Sequence, residues 1–187
     1  MSEAAIPPRP GEQGLSARLQ EILRVDHAGE LGAVWIYRGQ RAVFGEAAGK
    51  DRIRSSLAEM EGHEAEHLKR FDALLTEHRV RPTLLAPLWR AAGFALGAGT
   101  ALLGERAAHA CTEAVETVIE GHYAGQIDEI ATREPDLAAE LTAFRDEELA
   151  HRDHAVEEGA RGAPGYGLLS AMIRASCRAA IKVSEKL

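Results

Sequence analysis

Glu30 is followed 34 residues later by Glu64-Ala-Glu-His67, and Glu116 is followed 32 residues later by Glu148-Leu-Ala-His151. A Glu and a His three apart share a face only on a helix, because in a strand they point to opposite sides. Each Glu-x-x-His therefore asks for a helix, and each lone Glu asks for a partner helix facing it. Repeated, the pattern supplies four carboxylates and two imidazoles, the ligand set for two bridged iron or manganese ions inside a four-helix bundle. Four carboxylates balance two divalent ions in charge, and neutral imidazoles complete the shell. A structural zinc site would draw on thiolate or histidine instead.

Chance has to be weighed against this. With 22 Glu and 8 His in 187 residues, about one Glu-x-x-His arises at random, and the chain has two. The chain breaks decide the matter. Ser16 is a good N-cap for a first helix running to Phe44, ended by Gly45-Glu-Ala-Ala-Gly49-Lys-Asp51. A second helix from Asp51 to His78 stops before Pro82, and a third long helix covers Glu105 to Ala131. Thr132-Arg-Glu-Pro135 forms the next break, with Pro135 in the first turn of a helix reaching Glu158. Residues equidistant from a hairpin turn face one another. The two ligand sets have their midpoints near residues 48 and 133, each inside one of these breaks. Arms of about 17 residues, roughly 26 Å at about 1.5 Å per residue, would bring both sets to matching depth.

Length and composition agree with one helical domain over residues 16–187. Apolar residues make up 45% and aromatics only 5%, with Ala, Leu, Glu and Arg abundant. A formal charge of −7 argues against nucleic acid as a partner, since phosphate neutralisation needs a basic face. Cys111 and Cys177 lack metal or redox spacing and read as buried free thiols. Residues 1–15, rich in Pro and Gly, read as a disordered lead-in without a secretory or transit pattern. A last helix is predicted over Leu168–Val183.

Residues 84–104, between the hairpins, form the most apolar stretch and carry one charge, Arg90. Length alone would allow a membrane span. Pro87, Arg90 and several small residues weaken that reading, and a crossing would place the hairpins on opposite sides and split the six ligands. A connector helix lying in the membrane interface is preferred, with Trp89 and Phe94 as anchors and Arg79, Arg81 and Arg90 near headgroups. A helix capping the bundle core is the alternative. Around the ligands, Glu61, Glu66 and Glu147 read as solvated. Glu113 and Glu120, one turn from Glu116, compete for its place. His27, His63 and His154 lie a turn or less from ligands, and Asp26 is a candidate to orient a ligand histidine.

Several segments resemble the demethoxyubiquinone hydroxylases, a family of ferritin-like di-iron enzymes. They are Arg24-Val-Asp-His-Ala-Gly-Glu30, Ile36-Tyr37-Arg-Gly-Gln40, Glu66-His67-Leu-Lys-Arg-Phe71, Arg79-Val-Arg-Pro82-Thr, Pro87-Leu-Trp89, the run Gly93 to Gly104, Phe144-Arg-Asp-Glu-Glu-Leu149 and Ser184-Glu-Lys-Leu187. The likeness runs from about residue 20 to the C-terminus. It implies an all-α four-helix bundle with an apolar connecting helix, and Glu30, Glu64, His67, Glu116, Glu148 and His151 as iron ligands. It also implies O2-dependent hydroxylation of a polyprenylated methoxy-methyl-benzoquinol in ubiquinone synthesis, with NADH as a source of electrons. His122 and Tyr123 match a His-Tyr pair of the family thought to relay protons or electrons. Lys182 stands where some members carry a tyrosine. The resemblance further implies a peripheral position on the cytoplasmic face of a bacterial inner membrane, a lipid-binding accessory protein as partner, and room for a homo-oligomer. Two other readings share these residues: a ferroxidase or rubrerythrin-like peroxidase, and a non-enzymatic helical membrane scaffold.

Overall fold

The computed structural model describes residues 16–45 and 47–187; the lead-in expected over residues 1–15 lies outside them. All regular structure among the described residues is helical: α1 (Ala17–Phe44), α2 (Asp51–Glu77), α3 (Ala86–Leu102), α4 (Glu105–Ile130), α5 (Pro135–Glu157), a 3-10 turn (Ala160–Gly162) and α6 (Tyr166–Ser184). Ser16 caps α1 as its position in the sequence indicates, its Oγ accepting the Leu19 amide at 3.2 Å. Pro87 and Pro135 occupy first turns of α3 and α5, where a missing N–H costs nothing. The last helix starts two residues earlier than predicted because Gly165, with φ +67°, makes the reversal that launches it.

Helices α1, α2, α4 and α5 form the bundle, with α3 laid along α1 and α6 along α4. Apolar side chains fill it in two layers. One gathers Leu19, Ile22, Leu23, Phe71, Leu74 and Leu141 near the start of α1. The other gathers Phe44, Ile53, Leu57 and Met60 at the α1–α2 turn. The predicted ligands lie between these layers.

The connector packs on α1 at backbone distance. A Cβ on Gly97 would collide with the Ile36 backbone. One on Gly93 would lie 2.7 Å from the Gly32 carbonyl oxygen, and one on Gly39 2.8 Å from the Ala98 nitrogen. Small residues on both helices make this approach available. The opposite face of α3 leaves Leu88, Phe94 and Leu102 exposed, and α6 likewise exposes Leu168 and Met172. Phe94 meets Trp35 edge-on at 6.3 Å. Trp89, expected as an outward anchor, is half-buried: its indole nitrogen is covered and it lines an apolar cavity open to the surface. No helix among the described residues is long and apolar enough to cross a membrane.

Gly97→Ala is expected to cost about 1–3 kcal/mol through overpacking, since only backbone can yield. Gly29→Ala, with nothing within 4 Å of its added Cβ, serves as the neutral control. Paired thermal melts measure the difference.

Candidate metal centre

The six predicted residues converge. Glu30 sits on α1, Glu64 and His67 on α2, Glu116 on α4, and Glu148 and His151 on α5, and none is more than 5% exposed. Two overlapping groups can each hold a metal ion: Glu30, Glu64, His67 and Glu148, and Glu64, Glu116, Glu148 and His151. Within each, the donor atoms lie within 4.8 Å of one another. Glu64 and Glu148 belong to both groups, the position of bridging carboxylates.

Whether these residues fit a cation is answered by what they lack. Glu30 Oε2, both oxygens of Glu64 and of Glu148, Glu116 Oε2, His67 Nδ1 and His151 Nδ1 are buried without a hydrogen-bond partner. Buried polar atoms are ordinarily satisfied. Here eight of them, all good ligand atoms, face one space. His67 Nδ1 lies 3.3 Å from Glu148 Oε1, and His151 Nδ1 lies 3.1 Å from Glu64 Oε1, so each imidazole also reaches the carboxylate of the other hairpin.

Around the centre a second layer repeats with the first. Tyr37 Oη on α1 donates to Glu116 Oε1 at 2.9 Å, and Tyr123 Oη on α4 donates to Glu30 Oε1. Each tyrosine stands seven residues after the Glu of its own helix and clamps the Glu of the opposite one. Gln40 and Gln126 follow three residues later, both buried. The shared spacing Glu-x6-Tyr-x2-Gln was available in the sequence, yet only Tyr123 was singled out there; Tyr37 passes for a core aromatic. Glu147 is exposed, as expected, and from that solvated face its Oε2 lies 3.0 Å from His67 Nε2, while His63 Nδ1 lies 3.0 Å from His151 Nε2.

Asp26 corrects another expectation. It orients no ligand histidine: its Oδ1 accepts from Gln126 Nε2 at 2.8 Å and lies 3.4 Å from His122. One turn before Glu30, it faces α4 rather than the helices that carry the histidines. His122 is therefore joined to the centre's edge through Gln126 and Asp26, while Tyr123 touches it directly. Glu113 is taken up by Arg174 at 2.7 Å, His27 by Asp72 at 3.0 Å, and His154 by Ser56 at 2.7 Å. Glu120 faces Arg152 at 4.0 Å.

A cavity of about 190 Å³, its walls almost wholly apolar, lies between α1, α3, α4 and α6. Ala28, Gly29, Gly32 and Ala33 of α1 and Val115 and Ile119 of α4 line it beside Glu30 and Glu116. Trp89, Gly93 and Leu96 of α3 and Ile173, Cys177 and Ala180 of α6 close the other side. Both cysteines are free, and burial pushes their thiols up to about 12.

A family model described as ubiquinone biosynthesis protein COQ7 matches residues 17–184. The chain belongs to the COQ7 family. A Rhodospirillum rubrum protein named 3-demethoxyubiquinol 3-hydroxylase is 50% identical over 178 residues, covering 95% of this chain and 82% of its own. The Homo sapiens mitochondrial NADPH-dependent 3-demethoxyubiquinone 3-hydroxylase is 47% identical, covering 91% of this chain and 79% of its own. A Saccharomyces cerevisiae mitochondrial 5-demethoxyubiquinone hydroxylase is 41% identical, covering 92% and 79%. In this COQ7 member the ferritin-like bundle is thus the setting of the buried Glu/His cluster.

Protonation follows from the crowding. Burial, then the charges of Glu148, Glu30 and Glu116, raises Glu64 well above the ordinary carboxylate range. Burial and Glu148 do the same to Glu116. Burial pushes Glu148 the same way, but the adjacent imidazoles of His151 and His67, 3.4 and 3.3 Å away, outweigh it and hold the group at about 2. His67, lowered by burial, is carried up to about 11 by Glu148 and Glu30. The folded metal-free protein therefore keeps protons on Glu64, Glu116 and His67 that the unfolded chain releases above 4.5 or 6.5. Its stability should fall as pH rises between about 5 and 8, because the native state binds more protons there. The contribution of Glu148 is already complete above 4.5 and is lost only as pH falls toward 2. Melts of metal-free protein across that range should show a declining Tm, and metal-loaded protein should not. Metal uptake at neutral pH should release protons, read with a pH indicator in weak buffer.

Proposed function

We propose that this protein is an O2-dependent di-iron hydroxylase of ubiquinone biosynthesis, acting on the ring of a polyprenylated methoxy-methyl-benzoquinol. The observation that carries the reading is an apolar cavity lined by the chain neighbours of two cluster residues, Gly29 before Glu30 and Val115 before Glu116. Storage or peroxide chemistry on the same ligands would need no apolar chamber. Relatives named as demethoxyubiquinone or demethoxyubiquinol hydroxylases point to the same substrate class.

Iron is the metal proposed, two ions per chain, held by Glu30, Glu64, His67, Glu116, Glu148 and His151. When bound, the metal supplies activation of dioxygen toward an electron-rich ring. Tyr37 and Tyr123 fix the free ends of Glu116 and Glu30, so the donors are preorganised. The Gly and Ala positions of α1 leave a slot for a planar ring, and the apolar layers above and below keep water out. One oxygen atom enters the ring in place of hydrogen, and the other leaves as water with two protons and two electrons. His122, partly exposed, admits protons and passes them to the Asp26 carboxyl 3.4 Å away, which Gln126 holds in place; Tyr123 holds its own at Glu30. Burial raises the Asp26 carboxyl above its ordinary range, which suits it to carry one.

The electrons come from a reduced nicotinamide nucleotide, NADH or the NADPH named for the rat and human relatives. Arg174, Arg178 and Lys182 of α6 line a groove of about 480 Å³ over Gly121 and His122, a basic surface fitted to phosphates on an acidic chain. The exposed apolar faces of α3 and α6 flank the cavity and suit a membrane surface, with Arg79, Arg81 and Arg90 toward anionic headgroups. The prenyl tail then stays in lipid while the ring enters the bundle, on the cytoplasmic face of a bacterial inner membrane. The same apolar faces are available to a lipid-binding accessory protein or a second copy.

Protein loaded anaerobically with Fe(II), then given 18O-labelled O2, NADH and a short-tailed demethoxyquinone, is expected to yield product with one labelled oxygen. Unchanged quinone would sink the reading. Glu148→Ala should drop iron below two per chain and turnover by about three orders of magnitude. Ala180→Trp should keep the iron but raise KM for the quinone by about tenfold, by filling the slot.

A further inference from the structure

The two hairpins repeat each other around the centre, and the matched pair that touches the outer nitrogens of the cluster histidines differs in chemistry. The residue just before each Glu-x-x-His reaches the outer nitrogen of the other hairpin's ligand histidine. Before Glu64 it is His63, whose Nδ1 lies 3.0 Å from His151 Nε2, with the rings stacked at 5.3 Å and 11°. Before Glu148 it is Glu147, whose Oε2 lies 3.0 Å from His67 Nε2. The four pairs that make up or clamp the cluster are alike: Glu30 with Glu116, Tyr37 with Tyr123, Glu64 with Glu148, His67 with His151.

We propose that His63 and Glu147 are positioning residues that make the two metal positions inequivalent, the one served by His67 being the more electron-rich. The inference rests on the di-iron reading above. In both histidines Nδ1 faces the carboxylates and Nε2 faces outward. An outward N–H given to a carboxylate raises the basicity of the ring and makes its inner nitrogen a stronger donor. An outward N–H given to a neutral imidazole does so far less. Glu147 therefore strengthens His67 toward the Glu30 side, and His151, backed by His63, is the weaker donor on the Glu116 side. Both outer partners stand at the solvent edge: Glu147 is half exposed and His63 is exposed. Each is thus replaceable without opening a core cavity.

Mössbauer spectra of protein loaded with two 57Fe(II) per chain test this without turnover. Native protein is expected to show two resolved quadrupole doublets of equal area. His63→Glu, giving both histidines a carboxylate, and Glu147→His, giving both an imidazole, should each bring the doublets together. The double exchange H63E/E147H should separate them again, which a merely structural role would not do. Substoichiometric loading of native protein should fill one doublet first. Protein that holds fewer than two irons would overturn the di-iron reading and this inference with it. Two irons giving a single doublet in the native protein, or doublets that both single variants leave unmoved, would overturn this inference alone. If one single variant fails to fold, the other and the native loading series still decide.

Discussion

Four carboxylates and two imidazoles share the middle of this bundle with almost no contact with water. Placing that many ionisable groups together in a low-dielectric interior costs several kcal/mol for each unpaired ion, more than an ordinary domain has in reserve. The ligand atoms have no other hydrogen-bond partner, so the interior is stable in this arrangement only with positive charge among them, from protons or from metal. The rest of the structure serves that constraint. Two apolar layers seal the cluster above and below, tyrosines from opposite hairpins hold its terminal carboxylates, and the long helices set all six groups at one depth.

The centre has a wet side and a dry side. Toward α2 and α5, the histidines are backed by His63 and Glu147 at the solvent edge. Toward α1 and α4, the terminal carboxylates stand beside an apolar cavity roofed by α3 and α6. In the proposed function, protons move through the first side and the flank at His122, and an apolar ring is received on the second. The glycine contact between α3 and α1 makes this division firm, because the roof is fixed to the helix that carries Glu30.

The six clustered Glu and His positions were legible in the sequence because each hairpin's internal spacing encodes them: residues equidistant from a turn must meet. The helix bounds were legible for similarly local reasons, Ser16, Pro87, Pro135 and the glycine breaks. What escaped depends on how one hairpin sits against the other. Glu147 reads as a solvated residue and His63 only as a neighbour of the ligands until the second hairpin brings a histidine to each. Tyr37 looks like core filling until α4 presents Glu116. Asp26 has the composition of a histidine partner but the wrong azimuth. Trp89 was expected to face outward, and the tight glycine packing of α3 on α1 turns it toward the cavity instead. The cavity itself needs four helices, and no local pattern announces it.

The crossed tyrosines carry a lesson about how such a centre can diversify. Each clamps the carboxylate of the other half, and each histidine leans on the bridging carboxylate of the other half, so every contact would also be satisfied in a pair of identical hairpins related by a twofold axis. In such a pair, any residue placed beside one histidine is placed beside both, and the two metals are condemned to be twins. Joining the halves through α3 lifts that condition. Positions 63 and 147 are then free to hold different side chains, and a covalent link that looks like mere connectivity becomes the licence for a centre with two unlike ends.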